Sequence, residues 1–255
     1  MTGTIIATDG GRWWSGGVND TRIALVTGAN KGIGYQIAAQ LARLGATVLL
    51  AARDRARRER AAAELGVHPI ALDVTDAASA AAAADEVGRR FGRLDALVNN
   101  AGITGPQAQA PSAVDLDVLR EVFETNVFGV VAVTNAMLPL LLRSPAPRIV
   151  NVSSGVGSLT ALSDPGHELA ALPAGVAYPP SKTALNAVTV QYAKELAGRG
   201  VLVNAVDPGY CATDLNGHRG HRTAARGAAV AVRLATLGPD GTTGGFHGED
   251  GPLPW

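Results

Sequence analysis

Tyr178 and Lys182 stand four residues apart in a 255-residue chain that has three lysines against nineteen arginines. Chance placement of four tyrosines and three lysines gives about 0.05 Tyr-x-x-x-Lys pairs in such a chain. On a helix, side chains at i and i+4 share one face. An ammonium fixed beside a phenol favours the phenolate and lowers a pKa that is about 10 when unperturbed. A phenol tuned in this way is a general acid that releases its proton near neutral pH.

A second lysine, Lys31, lies in the run Gly28-Ala29-Asn30-Lys31-Gly32-Ile33-Gly34. The run follows a short apolar segment at 23–26 and opens a helical pattern with Ile33, Ile37, Leu41 and Leu44 on one face. Glycine supplies the positive φ and the close backbone approach that such a turn needs. The N–H groups and positive dipole end of the helix then suit a pyrophosphate. A glycine-rich strand–helix turn can also be purely structural.

The end of the second strand bears on the nucleotide. Sites for NAD place an acidic residue there against the ribose 2′-hydroxyl. Here Leu50-Ala51-Ala52 runs into Arg53, and Asp54 comes one position late. An arginine can clamp a 2′-phosphate, and Lys31 is expected on the same side, which points to NADP(H). The bland alternative is a solvated helix start within the charged run 53–60.

These residues need a frame. Strands are predicted at 23–26, 47–51, 69–74, 96–99, 148–152 and 201–206, with a last short one within 244–255. Helices are predicted from 33, at 54–65, 76–91, 114–142 and 179–198, and in a short piece ending near Leu237, with Pro139 expected to kink the long one. Continuous apolar strands alternating with helices imply a parallel sheet covered on both faces. The fold class is therefore α/β, a single doubly wound domain over residues 21–255 whose ligands bind at the carboxyl ends of its strands. Residues 1–20 read as a polar, Gly-rich lead-in, either a disordered tail or a start placed too early; Trp13 and Trp14 could instead dock on the domain or on a partner subunit.

Composition narrows the class. Zero net charge with 22 basic and 22 acidic residues shows no basic face for nucleic acid. Cys211 stands alone, which excludes an intrachain disulfide and suggests a reducing compartment. No apolar run of membrane-span length and no signal-peptide pattern is evident, so a cytoplasmic protein without membrane partners is expected. No metal-ligand spacing of His, Cys or carboxylates is seen.

The chain resembles the short-chain dehydrogenase/reductase family over about residues 21–255. Seven motifs fall in the family's order: Thr27 to Gly34; Asp73 at the end of the third strand; Asn99-Asn100-Ala101-Gly102; Asn126 in Glu124-Thr125-Asn126-Val127; Asn151-Val152-Ser153-Ser154; Tyr178 with Lys182; and Asp207-Pro208-Gly209 with Thr213. The resemblance implies a Rossmann fold and NADP(H)-dependent carbonyl reduction of the carbonyl-reductase type. It assigns catalysis to Asn126, Ser154, Tyr178 and Lys182. Tyr178 would give a proton to the substrate oxygen, Lys182 would lower its pKa and hold the nicotinamide ribose, Ser154 would hold the oxygen, and Asn126 would hold a water. It assigns the cofactor to Gly28, Asn30, Lys31, Gly32, Ile33, Gly34, Arg53, Asp73, Val74, Asn100, Ala101, Gly102, Tyr178, Lys182, Pro208, Gly209 and Thr213. Neighbours on a strand face opposite ways, so only one of Ser153 and Ser154 reaches the site, and the motif selects Ser154.

Alcohol oxidation by the same residues and a catalytically silent NADP(H)-sensing protein are the rival readings. A small carbonyl or alcohol is the implied partner, with a homodimer or homotetramer typical of the family and a monomer left open. The stretch 155–177 is longer than usual and is expected beside the active-site mouth. Pro179 and Pro180 fit a first helical turn. The loop 210–222, with His218, Arg219, His221 and Arg222, is expected to be a lid; it could attract an acidic substrate group or be a solvated loop. His167 reads as a loop residue and Cys211 as a small pocket-lining one.

Overall fold

Apolar runs that are buried at nearly every position form the centre of the molecule. The computed structural model describes residues 21–106 and 110–255; the expected tail 1–20, with Trp13 and Trp14, lies outside them. The strands are β1 (Ile23–Thr27), β2 (Thr47–Ala52), β3 (His68–Ala71), β4 (Ala96–Asn99), β5 (Arg148–Val152), β6 (Leu202–Val206), β7 (Phe246–Gly248) and β8 (Gly251–Pro252). They form one sheet in the order β3-β2-β1-β4-β5-β6-β7-β8, parallel except for the last pair. Order reverses between β1 and β4, so a crevice opens above their carboxyl ends.

The helices are α1 (Gly32–Arg43), α2 (Arg55–Leu65), α3 (Ala77–Phe91), α4 (Leu116–Phe123), α5 (Gly129–Leu141), α6 (Leu159–Ser163), α7 (Tyr178–Leu196) and α8 (Ala224–Ala235). Strand alternation divides the apolar residues between two cores. Leu25, Leu49 and Leu97 pack under α3, α5 and α7, while Val26, Leu50 and Val98 pack under α1, α2 and α8. Each such leucine contributes about 1.5–3 kcal/mol by leaving water.

Helix starts follow cap chemistry. Asp54, Asp76, Asp115, Ser158 and Thr223 each accept a backbone N–H in the first turn of α2, α3, α4, α6 and α8. Lys31 precedes α1 and its side chain makes no cap. The first-turn N–H groups of α1 are thus left for another acceptor.

Some boundaries differ from the sequence expectation. The third strand was expected to reach residue 74, but β3 stops at Ala71, because its partner β2 ends at Ala52. Leu44 was expected on the buried face of α1; it lies past the end of the helix and is exposed. The stretch 114–142 is α4 and α5 joined by a π-helical turn over Glu124–Phe128. That joined run, Leu116–Leu141, is long and apolar enough to cross a membrane, contrary to the expectation, and half of its apolar window is buried within the fold. Val122, Val130, Val133 and Met137 are buried there, as in a core helix.

Candidate active site

Polar residues at the carboxyl ends of the strands build the site. Thr27 ends β1 with its side chain buried, and its Oγ1 accepts the N–H of Asn100 at 2.9 Å and of Ala101 at 3.0 Å. Asn100 Nδ2 reaches back to the carbonyl of Thr27 at 2.9 Å. These bonds clamp the loop after β4 onto the glycine turn. Gly28 and Gly32 have φ of 61° and 59°, and a Cβ at Gly34 would overlap Asn100 Nδ2. Close packing against Asn100 therefore requires a glycine at 34 whether or not a phosphate binds.

Deeper in, Asn99 Nδ2 donates to Thr134 Oγ1 at 3.1 Å and to Asn151 Oδ1 at 2.9 Å. Asn151 Nδ2 donates to Thr189 Oγ1 at 2.9 Å. All four residues are buried, and they peg β4 and β5 to α5 and α7. Ser153 Oγ donates to Asn186 Oδ1 at 2.6 Å, a structural bond. Its neighbour Ser154 lines the cleft together with Tyr178.

Tyr178 is the first residue of α7, and Pro179 and Pro180 follow in the first turn, where no N–H bond is lost. Lys182 is one turn on, 4% exposed, with Nζ 5.5 Å from the Tyr178 ring centre. Nζ also donates to the carbonyl of Val152 at 2.8 Å. The sequence expectation of a lowered Tyr178 pKa is corrected. Burial pushes it up to about 12; the Ser154 hydrogen bond opposes this and the Asp207 charge adds to it. Burial also pulls Lys182 down to about 8. Desolvation is the largest influence on both groups.

Asn126 sits in the π turn, fully buried. Its Oδ1 accepts the Ile103 N–H at 2.9 Å, and Nδ2 donates to Ile103 O at 2.9 Å and Ser181 Oγ at 3.0 Å. Both amide hydrogens are engaged, so the side chain fastens the Gly102–Ile103 backbone beside Lys182. A Cβ at Gly102 would stand 3.2 Å from Asn126 Oδ1 and 3.6 Å from Lys182 Nζ.

A cleft of about 1530 Å³ runs across these strand ends. It exceeds the roughly 300–1,000 Å³ of an ordinary ligand pocket, leaving room for a dinucleotide beside a substrate. Gly28, Asn30, Lys31, Gly32, Ile33, Gly34, Arg53, Asp73, Val74, Asn100, Ala101, Gly102, Ser154, Tyr178, Lys182, Pro208, Gly209 and Thr213 line it. Asn126 lies behind the wall.

Two placements differ in detail from expectation, while Cys211 lines the cleft as expected. Lys31, expected beside Arg53, pairs instead with Asp214 at 2.8 Å, and Asp214 also meets His218 at 2.9 Å. Asp73 lies two residues beyond β3, and hydrogen bonds from Thr75, with the Arg53 charge as a smaller influence, hold its carboxyl below the usual range. Cys211 is buried with its thiol on Pro208 O, and burial raises its pKa.

Two residues that line the cleft had no role in the sequence reading. Arg57 stands one helical turn after Arg53, where the run 53–60 looked like a solvated face; the i, i+4 spacing was the available signal. Asp207 accepts the Gly209 N–H at 3.0 Å and places a negative charge near Tyr178. Among the described residues, no group of three His, Cys, Asp or Glu is placed to hold a metal ion.

A doubly wound sheet with an uncapped helix over a glycine turn and a Ser–Tyr–Lys cluster in the same crevice defines a dinucleotide-dependent oxidoreductase of the alcohol–carbonyl couple. Residues 22–224 match the short chain dehydrogenase family, and the chain belongs to it. It is 40% identical to the short-chain dehydrogenase anuI of Penicillium roqueforti over 229 residues, 85% of this chain and 89% of that protein. The structure of salutaridine reductase from Papaver somniferum superposes with a TM-score of 0.79 at 33% identity, covering 88% of this chain and 99% of that one. The NADPH-bound carbonyl reductase from chicken fatty liver gives 0.81 at 29% identity, covering 92% and 99%.

Proposed function

We propose that this chain reduces a ketone or aldehyde to an alcohol with NADPH. The observation that carries the reading is the meeting of Ser154, Tyr178 and Lys182 on the wall of one cleft, with Lys182 Nζ 5.5 Å from the Tyr178 ring centre. Two of the relatives above are reductases by name, and one holds NADPH.

The residues suit NADP(H). Arg53 and Arg57 line the end of the cleft above β2. The carboxylate nearest the ribose position, Asp54, is engaged as the cap of α2, accepting the Arg57 N–H at 2.9 Å. The open N–H groups of α1 fit a pyrophosphate. NADPH would supply the hydride.

Tyr178 keeps its proton at neutral pH and is the group able to give it to a carbonyl oxygen. Ser154, on the same cleft wall, steadies charge developing on that oxygen. The Lys182 ammonium stabilises the phenolate left behind, and Val152 O fixes its position. Asn126 holds the Gly102–Ile103 backbone against Lys182.

The test is NADPH oxidation by the purified protein against a panel of ketones and aldehydes, with Tyr178→Phe alongside. Wild type turns over faster with NADPH than with NADH, and the variant loses about 10²–10⁴-fold in kcat with NADPH affinity retained. Turnover by Tyr178→Phe near the wild-type rate would remove Tyr178 as proton donor. NADPH binding without turnover of any carbonyl would favour a silent sensor.

A further inference from the structure

Three chain segments frame the mouth of the cleft: the insert 155–177, the lid 210–222 and the segment 246–255. The last one grips both of the others. Toward the insert, Trp255 O accepts the Thr160 N–H at 3.0 Å, at the start of α6. The Trp255 ring stacks on buried Phe246, with centres 5.6 Å apart and planes 14° off parallel. Leu253 N donates to Phe246 O at 2.8 Å and folds the segment back over β7. Toward the lid, Glu249 pairs with Arg222 at 3.0 Å and with Arg226 at 2.6 Å. Arg222 in turn donates to Pro208 O at 3.2 Å and covers Gly209, where a Cβ would overlap its guanidinium.

The charges of this rim are largely engaged. Arg222 is held by Glu249, His218 by Asp214, and Arg219 by the Asn216 carbonyl at 2.9 Å. Carboxylates of Asp207, Glu168 and Asp250 also line the cleft, so an anionic substrate meets negative groups. Leu172, Tyr210 and Leu215 stand half-exposed along its wall, and among the exposed polar side chains beside them Arg219 is outnumbered by the carboxylates.

We infer that the segment 246–255 is the specificity element of this cleft. Held to the insert by Trp255 and to the lid by Glu249, it fixes both loops in one aperture that accepts neutral, bulky, apolar ketones and rejects carboxylated ones. The substrate part of this inference rests on the carbonyl-reductase reading above; the mechanical coupling does not.

The experiment compares wild type, Trp255→Ala and Trp255→Phe with NADPH on cyclohexanone, 4-tert-butylcyclohexanone and 4-oxocyclohexanecarboxylate. Wild type prefers the tert-butyl ketone and uses the carboxylate poorly. Trp255→Ala raises KM for the tert-butyl ketone about tenfold and for cyclohexanone less than about threefold, with kcat and NADPH affinity little changed. Trp255→Phe, which can still stack on Phe246, restores most of the loss. Hydrogen exchange on the same proteins gives a readout independent of turnover: Trp255→Ala speeds exchange at 158–163 in the insert and at 210–222 in the lid. An unchanged KM ratio between the two neutral ketones, or efficient use of the carboxylate, overturns the specificity role. Unchanged exchange in either loop overturns the coupling. Wild type inactive on all three ketones counts against the reductase reading, and exchange then decides the coupling alone.

Discussion

Raising the pH from 7 to 9 should switch off carbonyl reduction through Lys182 and not through Tyr178. Burial sets Lys182 near 8 and Tyr178 near 12. Lys182 is therefore about 90% charged at pH 7 and about 10% charged at pH 9, while Tyr178 keeps its proton throughout. If the ammonium stabilises the departing phenolate, kcat/KM should be flat below pH 7 and fall about ninefold by pH 9. The sign follows from the group: a lysine depressed by burial is active in its charged form and loses it as pH rises through the lowered value. The assay is initial-rate reduction at saturating NADPH from pH 6 to 9.5, with Lys182→Arg as control. Arginine stays charged over that range, so the variant, though slower, should show no break near 8. A flat wild-type profile to pH 9.5, or a break that survives in Lys182→Arg, would refute the assignment.

Two further perturbations follow from named contacts. Thr27→Val leaves the partly buried N–H groups of Asn100 and Ala101 without their acceptor, at about 1 kcal/mol each. Urea unfolding should show a loss of roughly 1–3 kcal/mol, together with weaker NADPH binding; a loss under about 0.5 kcal/mol would mean that the clamp is unimportant. Asp214→Asn frees Lys31 from an exposed ion pair worth at most about 1 kcal/mol, so NADPH should bind up to about fivefold tighter and NADH no differently. Equal tightening of both cofactors, read by fluorescence titration, would show that Lys31 does not reach the 2′-phosphate.

The parts of this molecule governed by short-range rules were readable in the sequence. β4 and β5 have the predicted limits, because continuous apolar runs bounded by polar residues leave little choice. α2 and α3 begin one residue later than predicted, since Asp54 and Asp76 cap the helices and do not join them. The end of β3 was not readable, because it depends on where its partner strand stops. Lys31 pairs with a residue 183 positions away, which no local pattern reports. The Tyr178 pKa was misread for a related reason: spacing gives proximity to Lys182, whereas the buried surroundings of the phenol and the Asp207 charge come from segments brought together by the whole fold.

The π turn at Glu124–Phe128 has a consequence for which changes of length the chain tolerates. A π turn holds one residue more than the α-helix around it. Deleting one residue there would let the wide turn close to a regular helix with α4 and α5 nearly in place, and would turn the side chains within 124–128 to new directions. Asn126 would then lose its grip on both polar groups of Ile103. Among descendants of this sequence, a single-residue deletion in the turn would leave the packing of α4 largely intact and still cost the wall behind Lys182.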